Sequence, residues 1–238
     1  MPVPPAVPMS FFRTLACAAL VVASGTLRAQ PFGTWMSYSA TLHVGESRVS
    51  GLGEAQLRSH RVLSDFDQAL GRLGVVYAFP GGPRLMQGVV LSRTADRGPS
   101  EAGRTEFRLH QDAVFGARVG AVHLSQRLRV EERWIGDTPL QLRGRAQLAG
   151  VVPVTGGAPR RGSLDASVSV EPFWRGPGRG EQPVFERVRV YAGLGLHLSR
   201  ALIVRGGLVL QQSTDESDMQ ALVSVHHGLS LGTDGQGQ

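Results

Sequence analysis

Along Arg127-Leu128-Arg129-Val130-Glu131-Glu132-Arg133 the odd positions are charged and the even ones mostly apolar. Continued backwards, His123 and Ser125 extend the polar file, while Val122 and Leu124 extend the apolar one. Side chains of a strand point alternately to its two faces, so a period of two predicts one charged and one greasy face. From Phe32 onward the chain keeps this period, broken by Gly, Pro, Asp and Ser clusters, with no stretch of helical periodicity. It predicts strands over 34–44, 48–62, 68–79, 84–94, 105–115, 119–134, 140–154, 163–173, 185–198, 202–212 and 219–231. Tight-turn residues separate several of them, as in Phe79-Pro80-Gly81-Gly82-Pro83 and Gly136-Asp137-Thr138-Pro139, and longer Gly- and Pro-containing loops occupy 95–104 and 175–183. The implied fold is all-β, an antiparallel up-and-down transmembrane β-barrel of 10–12 strands. Eleven segments are visible, but bacterial single-chain barrels normally hold an even number, so twelve is the first expectation and ten the second.

Charged and aliphatic files recur in other segments. Gln141, Arg143, Arg145 and Gln147 oppose Leu140, Leu142, Ala146 and Leu148; Arg187, Arg189, Tyr191 and His197 oppose Val188, Val190, Leu194 and Leu196. A soluble sheet would turn the apolar file inward, whereas a membrane barrel turns it toward lipid and the charges toward the lumen. Ten residues on a strand tilted by about 40° rise roughly 25 Å, the height of the apolar band of an outer membrane. Trp134, Phe115 and Phe79 fall at strand ends, where an aromatic girdle would lie. The N-terminal residues favour the membrane assignment: Arg13, an apolar run from Leu15 to Ala23 and then Leu27-Arg28-Ala29 have the layout of a secretory signal cleaved after Ala29. The expected division is therefore 1–29 signal peptide, 30–232 barrel and 233–238 polar tail, with the barrel in the cell outer membrane. The one cysteine, Cys17, would leave with the signal.

Charge narrows the choice of partners. All 25 basic residues are arginine; without Arg13 and Arg28, 23 remain against 19 acidic residues, a net charge of +4. The arginines alternate with aliphatic residues instead of clustering, so nucleic acid is not an expected partner; outer-membrane lipid and the barrel-assembly machinery are. Glu106, Arg108, Arg127, Arg129, Glu131, Arg133, Arg143, Arg145, Glu171, Arg187, Arg189 and Arg205, with Glu54, would share the inner face. Unpaired charge is costly in a partly dehydrated lumen, so a cross-strand Arg/Glu ladder is the preferred reading, with Arg127, Arg129 and Arg133 paired to Glu106 and Glu131. The alternative is a positively biased pore for anions.

Candidate chemistry is thin. Of the 7 histidines, His226 and His227 are adjacent and would face opposite ways, so they cannot chelate together. His123-Leu124-Ser125 and His197-Leu198-Ser199 place His and Ser on one face, but no orienting acid accompanies them in sequence. Gly193-Leu194-Gly195 lacks the following helix that phosphate cradling needs. No cofactor, metal or catalytic residue is expected.

In order along the chain, Gly33-Thr34-Trp35, Glu106-Phe107-Arg108, the Arg127–Arg133 strand, Arg143-Gly144-Arg145, Glu171-Pro172-Phe173 and Arg189-Val190-Tyr191-Ala192-Gly193-Leu194-Gly195 resemble an uncharacterised bacterial outer-membrane β-barrel family, domain of unknown function 2490. The resemblance implies fold and location and brings no activity. The last strand departs from outer-membrane barrels in ending on Leu231-Gly232 without a terminal aromatic. The expectation is thus a non-enzymatic outer-membrane barrel with a charge-filled lumen. An anion-biased pore, an outer-membrane lipid hydrolase using His and Ser, and a soluble periplasmic lipocalin-like binding protein are the alternatives.

Overall fold

A computed structural model describes residues 32–95, 103–155, 159–176, 183–214 and 216–232. The expected signal peptide, Cys17 and the polar tail lie outside these residues. Eleven strands follow one another: β1 (Gly33–Val44), β2 (Val49–Arg61), β3 (Ser64–Ala78), β4 (Arg84–Thr94), β5 (Arg104–Val119), β6 (Val122–Ile135), β7 (Gln141–Pro153), β8 (Leu164–Arg175), β9 (Val184–His197), β10 (Leu202–Ser213) and β11 (Ser217–Leu231). Each pairs with its sequence neighbours, and β1 closes on β11, giving one barrel.

Every segment with the period-two pattern is a strand, but the expected count of twelve or ten is overturned, because none is split and none is missing among the described residues. The wholly antiparallel arrangement is overturned with it. In an up-and-down barrel an odd count leaves the first and last strands running the same way. β1 and β11 accordingly pair in parallel, from Gly33↔Gln220 to Val44↔Leu231. A parallel ladder is slightly weaker per residue than an antiparallel one, and here it runs the whole length of β1. β1 begins at one end of the barrel and β11 finishes at the other. These are called the N-terminal and C-terminal ends.

Alternation decides which side chains enter the barrel. On β5, Glu106, Arg108, His110 and Asp112 are buried while Phe107 is exposed; on β6, Arg129 and Glu131 are buried while Leu128 and Val130 are exposed. Two bulges alter this simple rule. Between β8 and β9 the register passes from Phe173↔Arg187 to Trp174↔Phe185, leaving Glu186 as the extra residue. A strict period would turn Glu186 outward beside Arg187; the bulge re-aims it, and its carboxylate meets Arg187 at 2.6 Å and Arg143 at 3.7 Å. Between β2 and β3 the same irregularity leaves Asp67 as the extra residue, and it meets His60 at 3.4 Å.

Small residues make room for large ones. Gly193 and Gly207 face each other across β9 and β10, and the Tyr191 ring lies over both. A Cβ on Gly207 would stand 2.7 Å from Tyr191 Cε2 and 2.7 Å from Gly193 Cα, so this wall admits the ring only because both positions are bare. At the β5–β6 hairpin Gly120 takes φ 59°, the left-handed conformation that a two-residue turn demands.

The parallel seam can be checked chemically. Ser37 and Ser224 are direct partners across it, so Ser37→Cys with Ser224→Cys, in a Cys17→Ala background, should form a disulfide on mild oxidation. Ser37→Cys with Gln220→Cys should not, because four residues of slip exceed disulfide reach. Cross-linking is read as a mobility change under non-reducing electrophoresis, and the opposite pattern would refute this closure.

Candidate functional site

Burial in this chain is inverted. Among the described residues the buried apolar side chains are five, Trp35, Leu70, Val90, Phe173 and Val209, against sixteen buried polar or charged ones. The interior is therefore held by electrostatics and hydrogen bonds, and register is what brings the partners together.

Asp112 on β5 stands directly opposite Arg129 on β6, which donates Nε and Nη2 to its two carboxylate oxygens, both at 2.6 Å. Glu131 is opposite Arg143 on β7, which donates Nε at 2.6 Å. Arg145 Nη1 reaches the other oxygen of Glu131 at 2.9 Å. Arg145 also donates Nε and Nη2 to Glu171 on β8, at 3.0 and 2.7 Å. Glu171 receives Arg127 Nη2 at 2.7 Å and has Arg189 Nη1 3.6 Å away. One continuous network thus crosses five strands from Asp112 to Arg189. It also resolves two like-charge juxtapositions. Arg129 and Arg145 are register partners, and Glu131 stands between them at 3.6 and 2.9 Å. Arg108 and Arg133 are register partners, and Glu106 takes both, with two bonds of 2.7 Å from Arg108 and one of 2.5 Å from Arg133.

Smaller groups occupy the remaining wall. Glu54 accepts from Arg72 at 2.6 Å and from Gln56. Asp165 receives Arg205 Nη2 at 2.8 Å and lies 2.9 Å from His197 Nε2. Gly195, its register partner, leaves space for that carboxylate. Two buried aromatic rings take up guanidiniums by their faces. Phe173 has Arg145 4.4 Å and Arg189 5.0 Å from its centroid, and Trp35 has Arg58 at 3.7 Å and Arg189 at 4.8 Å. Between the walls lies a chamber of about 570 Å³ that reaches Thr94, Arg104 and Ile135 at the N-terminal end of the barrel.

All twelve residues expected in the ladder lie on the strands in inward register, but their pairing differs in detail from the sequence reading. Arg133 does meet Glu106. Arg127 meets Glu171 instead of Glu131, and the main partner of Arg129 is Asp112. Arg187 is a rim residue bound to Glu186, and Arg205 is bound to Asp165. Sequence reasoning passed over Asp112, Asp165, Glu186, Arg58, Arg72, Trp35 and Phe173. Asp112 could have been found by continuing the file Glu106, Arg108, His110 one step further. Glu186 could not, since only the bulge turns it inward.

The His–Ser spacings do not come together as pairs. Ser199 Oγ accepts the backbone N–H groups of Ala201 and Leu202 in the β9–β10 turn, while His197 is bound to Asp165. His226 and His227 do face opposite ways: His226 lies between Ser39 and Ser224, at 2.9 and 3.0 Å, and His227 Nδ1 is 3.0 Å from Tyr38 Oη.

Removing a buried carboxylate leaves its guanidiniums without counter-charge, which costs far more than losing an exposed pair. Glu131, with no exposed surface, holds Arg143 and Arg145. Glu131→Ala is expected to destabilise the barrel by about 3–5 kcal/mol. Arg187→Ala, at a pair whose arginine is 34% exposed, should cost about 1 kcal/mol or less. The midpoint of thermal unfolding, followed by circular dichroism, measures both; equal small shifts would contradict the network.

Neither the curated proteins nor the solved structures include one that matches this chain. A family model described as "Protein of unknown function (DUF2490)" matches residues 32–221, from the start of β1 into β11. The closed barrel and its charged interior are therefore attributes of a protein that belongs to the DUF2490 family.

Proposed function

We propose that this protein is an outer-membrane β-barrel whose arginine–carboxylate network is structural, bracing the lumen in place of an apolar core, and that it has no catalytic role. The observation that carries this reading is the outer surface. Each of the eleven strands turns at least one large apolar side chain outward, as with Met36 on β1, Leu73 on β3, Val130 on β6, Leu194 on β9 and Val223 on β11. Closure leaves no second layer among the described residues to cover them, and an apolar belt of this extent is stable against hydrocarbon and unfavourable against water. Strands of 11 to 16 residues suffice to cross a bilayer at the usual tilt of about 45°.

Aromatic residues add support. Phe66, Phe107, Trp134, Trp174 and Phe185 are exposed toward the N-terminal end of the barrel, with Phe107 and Trp134 rings 5.6 Å apart. Tyr77, Phe79 and Phe115 are exposed toward the other end. Two bands of rings separated by aliphatic residues fit the two interfaces of a membrane. The export signal expected over 1–29 accords with the same destination.

Two measurements test the proposal. On cell fractionation the mature protein should sediment with outer membranes and need detergent for release; recovery as a soluble periplasmic species would favour a lipocalin-like carrier. Leu73, 66% exposed, supplies a sharper contrast. In lipid, Leu73→Arg should destabilise by about 2–4 kcal/mol, whereas on a water-facing surface the change stays within about 0.5 kcal/mol. Planar-bilayer recordings should show little current, since the paired charges of β5 to β9 fill that side of the lumen; a steady anion-selective conductance would replace the bracing role with a pore.

A further inference from the structure

The bracing network leaves an imbalance. The chamber is lined by eleven arginines and three glutamates, and all three glutamates are already engaged: Glu54 by Arg72, Glu106 by Arg108 and Arg133, Glu171 by Arg127 and Arg145. Inward carboxylates that do not line the chamber, such as Glu131 and Asp165, hold Arg143 and Arg205 but add no acceptor to the space itself. The polar atoms without a protein partner repeat the imbalance. The Nε groups of Arg58, Arg72, Arg127, Arg189 and Arg205 find no acceptor, and neither does the indole Nε1 of Trp35, a residue only 8% exposed. All six residues line the chamber. Buried donors without acceptors are costly, and the residues that carry these all line one space whose own glutamates are already engaged, which favours a ligand rich in acceptors.

We propose that the lumen chamber binds a small soluble polyanion bearing two or more phosphate or carboxylate groups, seated beside Trp35, against whose ring both Arg58 and Arg189 rest. Both guanidiniums lie within 5 Å of the Trp35 ring centroid, at 3.7 and 4.8 Å. The indole holds them without neutralising them, and the carboxylate that Arg189 approaches, Glu171 at 3.6 Å, is already shared by Arg127 and Arg145. Planar guanidinium forks match the oxygen pairs of phosphate and carboxylate. A volume of about 570 Å³ lies within the roughly 300–1,000 Å³ usual for small-molecule sites. The chamber reaches Arg104, exposed at the N-terminal end of the barrel, which would present positive charge to an entering anion. This inference goes beyond the bracing role and does not depend on where the barrel resides, since binding is measured on purified protein.

The test is isothermal titration of the full chain, refolded in neutral detergent, with pyrophosphate and with citrate. A parallel readout is fluorescence in a Trp134→Phe, Trp174→Phe background, where Trp35 is the one remaining tryptophan. Saturable one-to-one binding with a Trp35 signal is expected. Arg58→Ala with Arg189→Ala should weaken it at least tenfold, and Arg118→Ala, which removes an exposed rim charge that bonds Gly120, should leave it unchanged. If the double alanine variant gives no heat-modifiable band, Arg58→Lys with Arg189→Lys retains the charges and loses the forks, and should still weaken binding severalfold. Titration with short-chain phosphatidic acid separates a free anion from a lipid headgroup; tighter binding of the lipid, competitive with pyrophosphate, would overturn the soluble ligand. The absence of saturable binding, or equal weakening by Arg118→Ala, would overturn the site.

Discussion

A carboxylate with no exposed surface can remain ionised in a barrel wall only if guanidiniums reach it, and Glu131 is in that position. Arg143 lies opposite it in register and Arg145 two residues further along the same face. Each arginine of that pair then needs its own neighbours arranged. Arg145 must share Glu171 with Arg127, and Arg129, facing Arg145, must turn to Asp112. Pairing each buried carboxylate of this network with its guanidiniums thus fixes the relative register of five consecutive strands. A slip of one residue would carry every charge of a strand to the outer face and every aliphatic residue into the network. The inverted burial of this chain follows from that constraint more than from any drive to bury apolar area.

The same constraint accounts for the chamber. On the β5–β8 side, opposite charges alternate closely enough to pair across adjacent strands. On β2, β9 and β10 the inward positions are fewer in acids and include Gly193, Gly195 and Gly207, which add no side-chain volume. Two arginines of that side, Arg58 and Arg189, lie against aromatic faces and glutamines instead of a bidentate carboxylate. A barrel filled evenly by ladder pairs would have no space and no spare donors. This one has both, on the same side, which is why a structural interior and a ligand site can share one lumen.

The extent of the strands was legible because a half-buried strand repeats every two residues and its turns use Gly, Pro and Asp; all eleven spans follow from that. The strand number was misjudged by weighing the usual even count of bacterial barrels above the segments in view. The family assignment rested on short ordered motifs, and the match over residues 32–221 covers them all. The inward file was also legible, but its partners were not. Register assigns Arg129 to Asp112, and Arg127 reaches across β7 to Glu171, over separations of 17 and 44 residues, and no local pattern encodes such distances.

By itself, then, the amino-acid order determined the strands, the two faces of each and the identity of the charges on the inner one, because side-chain direction on a strand depends only on residue parity. Closure was decided by the tertiary structure. Eleven strands must bring β1 and β11 together in parallel, a pairing between residues about as far apart in the chain as any in the barrel. The bulges at Phe173/Trp174 and Arg58/Ser59 likewise depend on how neighbouring strands accommodate one another, and they reverse parity for Glu186 where sequence would turn it outward. The packing of Arg58 and of Arg189 against the Trp35 ring joins β2, β9 and β1 across the seam. It exists only once the sheet has curled far enough for both of its edges to pair.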